Sequence, residues 1–252
     1  MTDTLDIRLR WNGRELEPAA AHGGRPLLVA DSWLVDAGYV RAPAAHWARF
    51  GAACLEAGAD RADLRRFQVA VDAALPVDGR WFPRVELTTE GLAVWVRRAP
   101  PLERSVRVIV GPRGDPRSRP RRKGPDLELL AGLRATAHEQ GADELLLCDG
   151  DGTLLEGALS SLLWWEDGAL CTTPDERTLP GVTRALLLAI ARARGVEVRV
   201  RAPQAADLAG REVWLTSALH GIRVVSAWVA PRIEAGAGER APAWREELDR
   251  DG

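Results

Sequence analysis

The alternation of apolar and polar residues predicts strands at the start of the chain and helices soon after. Leu5 to Trp11 alternates, Asn12-Gly13 is typical of a hairpin turn, and Pro26 to Ala30 is a short apolar run. From Ala44 to Gly58 the apolar spacing becomes helical, and Asp60 to Leu75 predicts a second helix with Asp60 as its N-cap. Three strands are predicted next: Arg84 to Thr89, Leu92 to Arg98 and Ser105 to Val110.

The second half of the chain alternates between helix and strand. The pattern predicts a helix from Asp126 to Gln140, closed by Gly141, and a strongly apolar helix from Thr183 to Ala193. From Pro231 onward the residues are polar, which predicts a surface tail with a short final helix. The predicted strands are Glu144 to Cys148, Leu162 to Trp165, Ala169 to Thr172, Val196 to Val200, Glu212 to Thr216 and Ile222 to Val229, with a helical turn at Gln204 to Leu208.

A change of composition between the two halves indicates two domains. Residues 111–125 contain four prolines and a run of cationic side chains, which is typical of an exposed loop. We therefore predict an N-terminal α/β domain over 1–112, an interdomain loop over 113–125, and a C-terminal α/β domain over 126–252. Such a cationic run is usually only solvated, and it lacks the interleaved aromatic residues of a nucleic-acid site.

Composition excludes several classes of protein. The chain has 252 residues, 46% of them hydrophobic and 28% charged, with a net charge of −2, which gives no electrostatic reason to expect nucleic acid or an anionic membrane. Cys54, Cys148 and Cys171 form no CxxC pair, so neither a metal site nor a disulfide framework is expected. No stretch is long and apolar enough to span a bilayer, and Met1 to Arg10 has no signal-peptide pattern. The expected location is the cytoplasm.

One residue type is nearly absent from the chain. Of the 34 Lys and Arg residues, Lys123 is the only lysine. Arginine replaces lysine wherever only positive charge is needed, but it cannot lose its proton and act as an amine nucleophile. Lys123 is therefore a candidate for covalent chemistry, above all a Schiff base. The alternative is a chance remnant in a solvated loop.

Three short motifs place polar groups where a cofactor could bind. In Leu179-Pro180-Gly181-Val182-Thr183-Arg184 a tight turn leads into a helix, whose first amides favour a phosphate. Glu156 stands in an apolar strand and needs a partner if it is buried, such as a protonated ring nitrogen. His46 and Arg49 lie at i, i+3 on one helix face and could reach an anion. An ordinary helix start, an edge-strand carboxylate and a surface ion pair are the alternative interpretations.

The order and spacing of these motifs resemble the class IV pyridoxal-phosphate aminotransferases, the enzymes of fold type IV. The resemblance is most specific from Gly141 to Arg184, where the chain reads GADELLLCDGDGTLLEG, then SSLLWWEDGALCTTP, then LPGVTR. His46-Trp47-Ala48-Arg49-Phe50 matches the family's H-x-x-R-L element, and the resemblance covers about residues 27 to 229. It implies a two-domain α/β fold, like that of D-amino-acid aminotransferases, with the cofactor in the interdomain cleft.

The resemblance also implies roles for individual residues at a pyridoxal 5′-phosphate (PLP) cofactor. Lys123 takes the place of the catalytic Schiff-base lysine, and Glu156 that of the glutamate that binds the pyridine nitrogen. Arg49 corresponds to the arginine that holds the cofactor phosphate. The further phosphate contacts of the family fall on Val182, Thr183 and Ser217.

Three functions are compatible with these residues. Ser217-Ala218-Leu219 is closer to the Asn-Ala-Leu of 4-amino-4-deoxychorismate lyases than to the Gly-Thr-Ala of branched-chain enzymes. We therefore expect a lyase that converts 4-amino-4-deoxychorismate to 4-aminobenzoate and pyruvate, for folate or aminobenzoate synthesis. The alternative is a class IV aminotransferase acting on branched-chain or D-amino acids. A non-catalytic binding protein on the same fold is the third possibility, because residues 31–41 are shortened and no tyrosine follows Lys123.

Both enzymatic hypotheses imply a small amino substrate with a carboxylate group. The candidate carboxylate-binding residues are Arg41, Arg97, Arg98, Arg107 and His220. Because members of the family are usually homodimers, the expected protein partner is a second copy of the chain.

Overall fold

The computed structural model of this protein describes residues 6–20 and 26–251, and the chain divides into two compact units. The first consists of Met1–Leu102 with Arg122–Pro125, and the second of Glu103–Arg121 with Asp126–Gly252. The division differs from the predicted boundary at residue 112, because Ser105–Val110 pairs with strands of the second unit. Both units contain helices and strands, which confirms the predicted α/β class.

The first unit combines an antiparallel sheet with two helices. The sheet order is β2-β1-β8-β7-β3, and β5-β4-β6 form a small separate sheet. Leu5, predicted to begin the first strand, lies outside the described residues. The elements are β1 Ile7–Trp11, β2 Leu16–Pro18, β3 Leu27–Ser32, β4 Val35–Asp36, β5 Tyr39–Val40, α1 Pro43–Glu56, α2 Arg61–Ala74, β6 Arg80–Trp81, β7 Arg84–Thr88 and β8 Gly91–Val96.

The two faces of the large sheet in the first unit differ in polarity. Val85 on β7 pairs with Val94 on β8, and Val94 pairs with Leu9 on β1. Because directly paired residues share a face, these side chains form the apolar face, which packs against Phe50 of α1 and Phe67 of α2. Hydrophobic burial on this face holds the helices to the sheet. The opposite face carries charged and aromatic side chains from the same strands.

The second unit is built on one mixed sheet of order β11-β10-β9-β16-β15-β12-β13-β14. The pairs β9/β10, β9/β16 and β13/β14 are parallel, and the other pairs are antiparallel. The elements are β9 Ser105–Val110, α3 Leu127–Glu139, β10 Glu144–Cys148, β11 Leu154–Gly157, β12 Ser161–Glu166, β13 Ala169–Thr172, α4 Val182–Ala193, β14 Val198–Val200, a 3-10 turn Ala205–Leu208, β15 Val213–Ser217, β16 Gly221–Ala230 and α5 Ala241–Asp251.

The final helix is part of the core, and the prediction of a surface tail is wrong there. Trp244 and Leu248 of α5 are buried. The ring of Trp244 lies 5.2 Å from that of Trp165 and 5.7 Å from that of Trp214. Glu212 accepts hydrogen bonds from the amides of Arg240 and Ala241, at the start of α5, where amides have no acceptor within the helix. Trp244 and Leu248 stand among polar residues, so the composition of the segment did not predict their burial.

The described residues contain neither a candidate membrane span nor a candidate metal site. No helix within 6–20 and 26–251 has the length and apolar character needed to cross a membrane. In the same ranges, His, Cys, Asp and Glu side chains form no group of three or more that could hold a metal ion.

Candidate functional site

The backbone at Lys123 lies along the edge strand β3. The carbonyl oxygen of Lys123 accepts a hydrogen bond of 2.7 Å from the Ala30 amide. Gly124 follows with φ +140°, and a Cβ there would lie 2.7 Å from the Cα of Val29. Only glycine tolerates both the backbone angle and this close approach. The sequence Lys123-Gly124 therefore fixes the lysine against the sheet.

A buried carboxylate organises the helix side of the first unit. Asp31 on β3 is fully buried and accepts two hydrogen bonds of 2.7 Å from Arg49, through Nε and Nη2. The Nδ1 atom of His46 lies 3.0 Å from Asp31 Oδ1. His46 and Arg49 thus share one helix face, as the i, i+3 spacing predicts, and both contact Asp31.

Burial and nearby charges lower the pKa of the Lys123 amine. Burial lowers the pKa of Lys123 to about 8, with further lowering by Arg49, Arg97 and Arg84, while Asp31 opposes the change. Burial also opposes ionisation of Asp31, but Arg49, His46 and Lys123 together hold its pKa well below its usual range. Lys123 is therefore an amine that can be neutral near physiological pH.

The other face of the same sheet collects guanidinium groups around one indole ring. The guanidinium carbons of Arg8, Arg97 and Arg84 lie 4.0, 4.6 and 5.0 Å from the centroid of the Trp95 ring. Arg84 is paired with Glu86. The Nε atom of Arg97 donates to the Phe82 carbonyl. Burial and its cationic neighbours lower the pKa of Arg97 to about 10.

Two other candidates in the first unit have different surroundings. Arg98 is exposed, and its guanidinium carbon lies 3.9 Å from the Trp81 ring centroid. Arg41 precedes Ala42, the left-handed residue at the start of α1. Of the predicted site residues in this unit, Arg49 and Arg97 lower the pKa of Lys123 through their charges.

In the second unit, Glu156 is a buried carboxylate on β11. Its Oε1 atom accepts hydrogen bonds from Arg117 Nη1 and from the Leu179 amide, the latter at 2.8 Å. Burial raises the pKa of Glu156 to about 7, against the opposing charges of Arg117 and Arg184. The predicted need for a buried partner is met by an arginine.

The start of α4 is held close to β12. Gly181 is the N-cap and has no side chain to cap the first amides. A Cβ at Gly181 would collide with Ser161 Oγ and lie 3.3 Å from Arg184 Cβ. Val182 and Thr183 are buried, and their amides have no acceptor within the helix. These amides form a potential anion site.

Ser217 ends β15 close to this helix start. Ser161, which contacts Gly181, pairs with Thr216 across the β12/β15 ladder. Ser217 follows directly and is partly buried, and its Oγ accepts a hydrogen bond of 3.2 Å from the His220 amide. The β12/β15 ladder therefore places the end of β15, which carries Ser217, beside the strand residue that lies against the start of α4.

His220 and Arg107 have partners of their own in the second unit. His220 Nδ1 accepts a hydrogen bond of 3.1 Å from the Glu103 amide, and burial and Arg223 lower the pKa of His220 to about 4. Arg107 is exposed and donates through Nε and Nη2 to both carboxylate oxygens of Asp143. The neutral imidazole and the paired guanidinium are weaker anion receptors than Arg97.

Asp31, Arg84 and Arg117 belong to these arrangements but were not predicted from the sequence. Asp31 carried a usable signal, because a carboxylate inside the apolar run of β3 needs a cationic partner when it is buried. Arg84 and Arg117 have no such signal in the sequence. Each stands among several arginines, and only the fold determines which guanidinium faces inward.

Comparison with known proteins identifies the class to which this chain belongs. The model of the family described as Amino-transferase class IV matches residues 28–228. The chain therefore belongs to the class IV aminotransferase family, and the resemblance predicted from the sequence is confirmed. No curated protein matches the chain significantly.

Solved structures of the same fold come from several bacteria. A hypothetical aminotransferase from Mycobacterium tuberculosis, in a PLP-bound form, matches with a TM-score of 0.78 at 23% identity over 98% of each chain. The branched-chain amino acid aminotransferase from Escherichia coli matches with 0.80 at 18% identity, over 97% of this chain and 94% of its own. A putative 4-amino-4-deoxychorismate lyase from Legionella pneumophila gives 0.73 at 18% identity, over 89% and 91%. The predicted type IV fold is confirmed.

Proposed function

We propose that this chain is a PLP-dependent enzyme acting on a small amino substrate, with Lys123 as the residue that bonds the cofactor. The environment of Lys123 carries the proposal. The only lysine of the chain is anchored by its own carbonyl to β3, and its amine has a pKa lowered to about 8, chiefly by burial. A cofactor aldehyde needs such a neutral, oriented amine. The family and the PLP-bound M. tuberculosis structure support PLP as the cofactor.

The donor and acceptor groups of the second unit suit the two polar ends of PLP. Among the described residues, Glu156 Oε2 accepts no hydrogen bond, whereas Oε1 accepts two. An oxygen without a partner on a buried carboxylate suits a ring N–H. The amides of Val182 and Thr183, with the hydroxyl of Ser217, suit the phosphate. Bound PLP supplies an electron sink, which accepts the electron pair released when a bond to the substrate carbon breaks.

As a free amine, Lys123 would also move a proton. With a pKa of about 8, about a tenth of the free amine is neutral at pH 7, compared with well under 0.1% for an ordinary lysine. The neutral amine can then remove a proton from the substrate and return it elsewhere. Burial sets most of the lowered pKa of Lys123, and the opposite charges of Asp31 and Arg49 adjust it further.

We assign the substrate carboxylate to Arg97. Its Nε atom donates to the Phe82 carbonyl, and within the described residues its terminal nitrogens donate to no acceptor. Burial and the charges of Arg84 and Arg8 lower the pKa of Arg97, and Asp6 and Glu86 oppose them only in part, so an anion bound there gains a charge-assisted pair. Arg84, by contrast, is already neutralised by Glu86.

For the reaction, we propose a lyase similar to 4-amino-4-deoxychorismate lyase, which releases pyruvate and 4-aminobenzoate. The segment Ser217-Ala218-Leu219 supports this choice over the branched-chain type. A class IV aminotransferase is the second candidate, because Lys123, Glu156 and Arg97 would serve an amino acid and a 2-oxo acid equally well. The homodimer expected from the family is a proposal that light scattering can check.

The first test is the absorbance spectrum of the protein with added PLP. We expect a near-visible band that borohydride abolishes irreversibly, and no such band in Lys123→Ala or Lys123→Arg. The arginine variant is the matched control, because it keeps the positive charge but cannot bond the aldehyde. A band of equal strength in both variants would overturn the assignment of Lys123.

The second test separates the two reactions. Purified protein with PLP is given 4-amino-4-deoxychorismate, and pyruvate is measured with lactate dehydrogenase and NADH. In parallel, branched-chain and D-amino acids are supplied with 2-oxoglutarate, and glutamate is measured. Pyruvate release that disappears in Lys123→Ala supports the lyase. Glutamate formation without pyruvate release rejects the lyase in favour of the aminotransferase.

A further inference from the structure

Arg117 is the central residue of a buried ionic network in the second unit. Its Nε and Nη2 atoms donate to the two carboxylate oxygens of Asp115, at 2.9 and 3.0 Å. Nη2 also donates to the Arg177 carbonyl at 2.9 Å, and Nη1 donates to Glu156 Oε1. The side chains of Asp115, Arg117 and Glu156 are 2%, 4% and 5% exposed. The bidentate pair with Asp115 therefore fixes the direction in which Nη1 points.

The two oxygens of Glu156 are treated differently by this network. Oε1 accepts hydrogen bonds from the Arg117 guanidinium and the Leu179 amide. Oε2 accepts no hydrogen bond from any described residue. The carboxylate is thus anchored on one side and open on the other. Such an arrangement holds the open lone pairs in a fixed direction.

We propose that Arg117, aligned by Asp115, is a positioning residue that keeps Glu156 ionised and aims Oε2 at the ring N–H of the cofactor. This inference rests on the proposed function, because it needs PLP as the ligand. Arg117 touches neither cofactor nor substrate in this role. It acts only through Glu156.

The charges support the proposal. Arg117 and Asp115 neutralise each other, so with Glu156 ionised the three buried side chains carry one net negative charge, which a protonated ring nitrogen would balance. Burial raises the pKa of Glu156, and the groups that oppose it are Arg117, the Leu179 amide and Arg184 of α4. Arg177 is half exposed and lies 3.7 Å from Asp115. Without Arg117, burial would raise the pKa of Glu156 further, and a protonated carboxyl group binds a protonated ring nitrogen more weakly than a carboxylate does.

The same side chain also orders the segment that leads to the phosphate contacts. Arg117 bonds the carbonyl of Arg177, and Glu156 bonds the amide of Leu179, two residues later. The helix α4 then begins at Val182. The Arg117 guanidinium therefore connects Glu156, which is proposed to bind the ring nitrogen of PLP, to the backbone that leads into the proposed phosphate site.

The test measures the titration of Glu156 directly in the protein without cofactor. Carbon NMR of side-chain-labelled glutamate gives the titration midpoint, and the signal is assigned by its loss in Glu156→Gln. We expect Arg117→Met to raise this midpoint by at least one pH unit and Arg117→Lys to raise it less. Arg119→Met is the matched control, since Arg119 is exposed in the same loop, and it should leave the midpoint unchanged.

The second measurement concerns PLP. We expect Arg117→Met and Glu156→Gln to weaken PLP binding by a similar factor, at least tenfold, and to change the pH dependence of the bound absorbance band in the same way. A residue that only stabilised the fold would lower the melting temperature and leave both titrations in place. If Arg117→Met does not fold, the comparison is made with Arg117→Gln, which also removes the charge and whose unchanged Glu156 midpoint would equally reject the proposal.

The outcomes separate this inference from the proposed function. If the wild-type protein takes up no PLP, the proposed function fails, and the cofactor role of Arg117 fails with it. If the wild type binds PLP but the Glu156 midpoint is the same in Arg117→Met and Arg119→Met, this inference alone is wrong.

Discussion

Arg49 and Asp31 form a bidentate ion pair in the first unit, with two hydrogen bonds of 2.7 Å. The Asp31 side chain is fully buried, and that of Arg49 is 15% exposed. The pair joins β3 to α1, and the same carboxylate lies 3.0 Å from His46. Arg49 therefore reaches any ligand, including the phosphate predicted for it, from an orientation that Asp31 sets.

The first prediction follows from the burial of this pair. Asp31→Asn leaves Arg49 and Lys123 without their buried counter-ion, and we expect a loss of about 3–5 kcal/mol in the free energy of unfolding. Urea denaturation followed by tryptophan fluorescence measures the loss. PLP binding should weaken as well, because the guanidinium loses its orientation.

Asp36→Asn is the control for this substitution. Asp36 accepts a hydrogen bond of 2.9 Å from Arg80, but the two side chains are 41% and 56% exposed. An exposed pair of this kind contributes about 0–1 kcal/mol. Equal losses in the two variants would show that the buried pair has no special role.

The second prediction concerns the pH dependence of cofactor uptake. The pKa of Lys123 is lowered to about 8, chiefly by burial, and only the neutral amine attacks an aldehyde. The rate of uptake should rise about tenfold per pH unit below this value and level off above it. Stopped-flow absorbance between pH 6.5 and 10.5 measures the rate. A rate that still rises tenfold per unit between pH 9 and pH 10.5 would mean that Lys123 is an ordinary exposed lysine.

Much of this fold could be predicted because its elements have strong local signals. The helix from Arg61 to Ala74 was predicted from its apolar spacing, and Asp60 caps it by accepting a 2.7 Å hydrogen bond from the Asp63 amide. Two-residue strands such as β4 and β6 were missed, because their pairing depends on each other and hardly on their own sequence. Local sequence patterns therefore predict the long helices and strands, but not the short strands that depend on tertiary contacts.

The candidate site was predictable only where a single residue type was diagnostic. Lys123 could be named because no other lysine exists in the chain. Arg117 could not be named, because four other arginines of the same loop have the same character in the sequence. What distinguishes it is a pair of acids, Asp115 and Glu156, brought together across 41 positions by the fold. No periodicity encodes such a contact.

The third prediction tests which arginine binds the substrate carboxylate. Arg97 has terminal nitrogens that donate to no described acceptor, while its neighbour Arg98 stacks on Trp81. Arg97→Gln should lower kcat/KM by roughly 10- to 100-fold, as expected for the loss of a charge-assisted hydrogen bond, mainly through a higher KM. The PLP absorbance band should persist.

Arg98→Gln is the matched variant, one position along the same chain segment. It should change kcat/KM less than twofold, because its exposed guanidinium makes its contact on the ring of Trp81. A larger effect in Arg98→Gln than in Arg97→Gln would move the carboxylate site to the other side of the strand.

The fourth prediction concerns the start of α4. A Cβ at Gly181 would collide with Ser161 Oγ, so Gly181→Ala must displace either that hydroxyl or the helix start. We expect overpacking to cost about 1–3 kcal/mol of unfolding free energy, and PLP to bind at least tenfold more weakly. Gly132→Ala is the control. Gly132 lies inside α3 with open space around it, so alanine should stabilise the protein by about 0.5–1 kcal/mol.

A double variant determines whether the weaker binding comes from this contact. Ser161→Ala removes the hydroxyl that the new methyl group would meet, while the Arg184 Cβ stays 3.3 Å away. In Gly181→Ala with Ser161→Ala, the helix start can return toward its original place, and PLP affinity should recover by more than half of the loss in free energy. If no recovery occurs, the close approach of Gly181 to β12 is not what positions the amides of Val182 and Thr183.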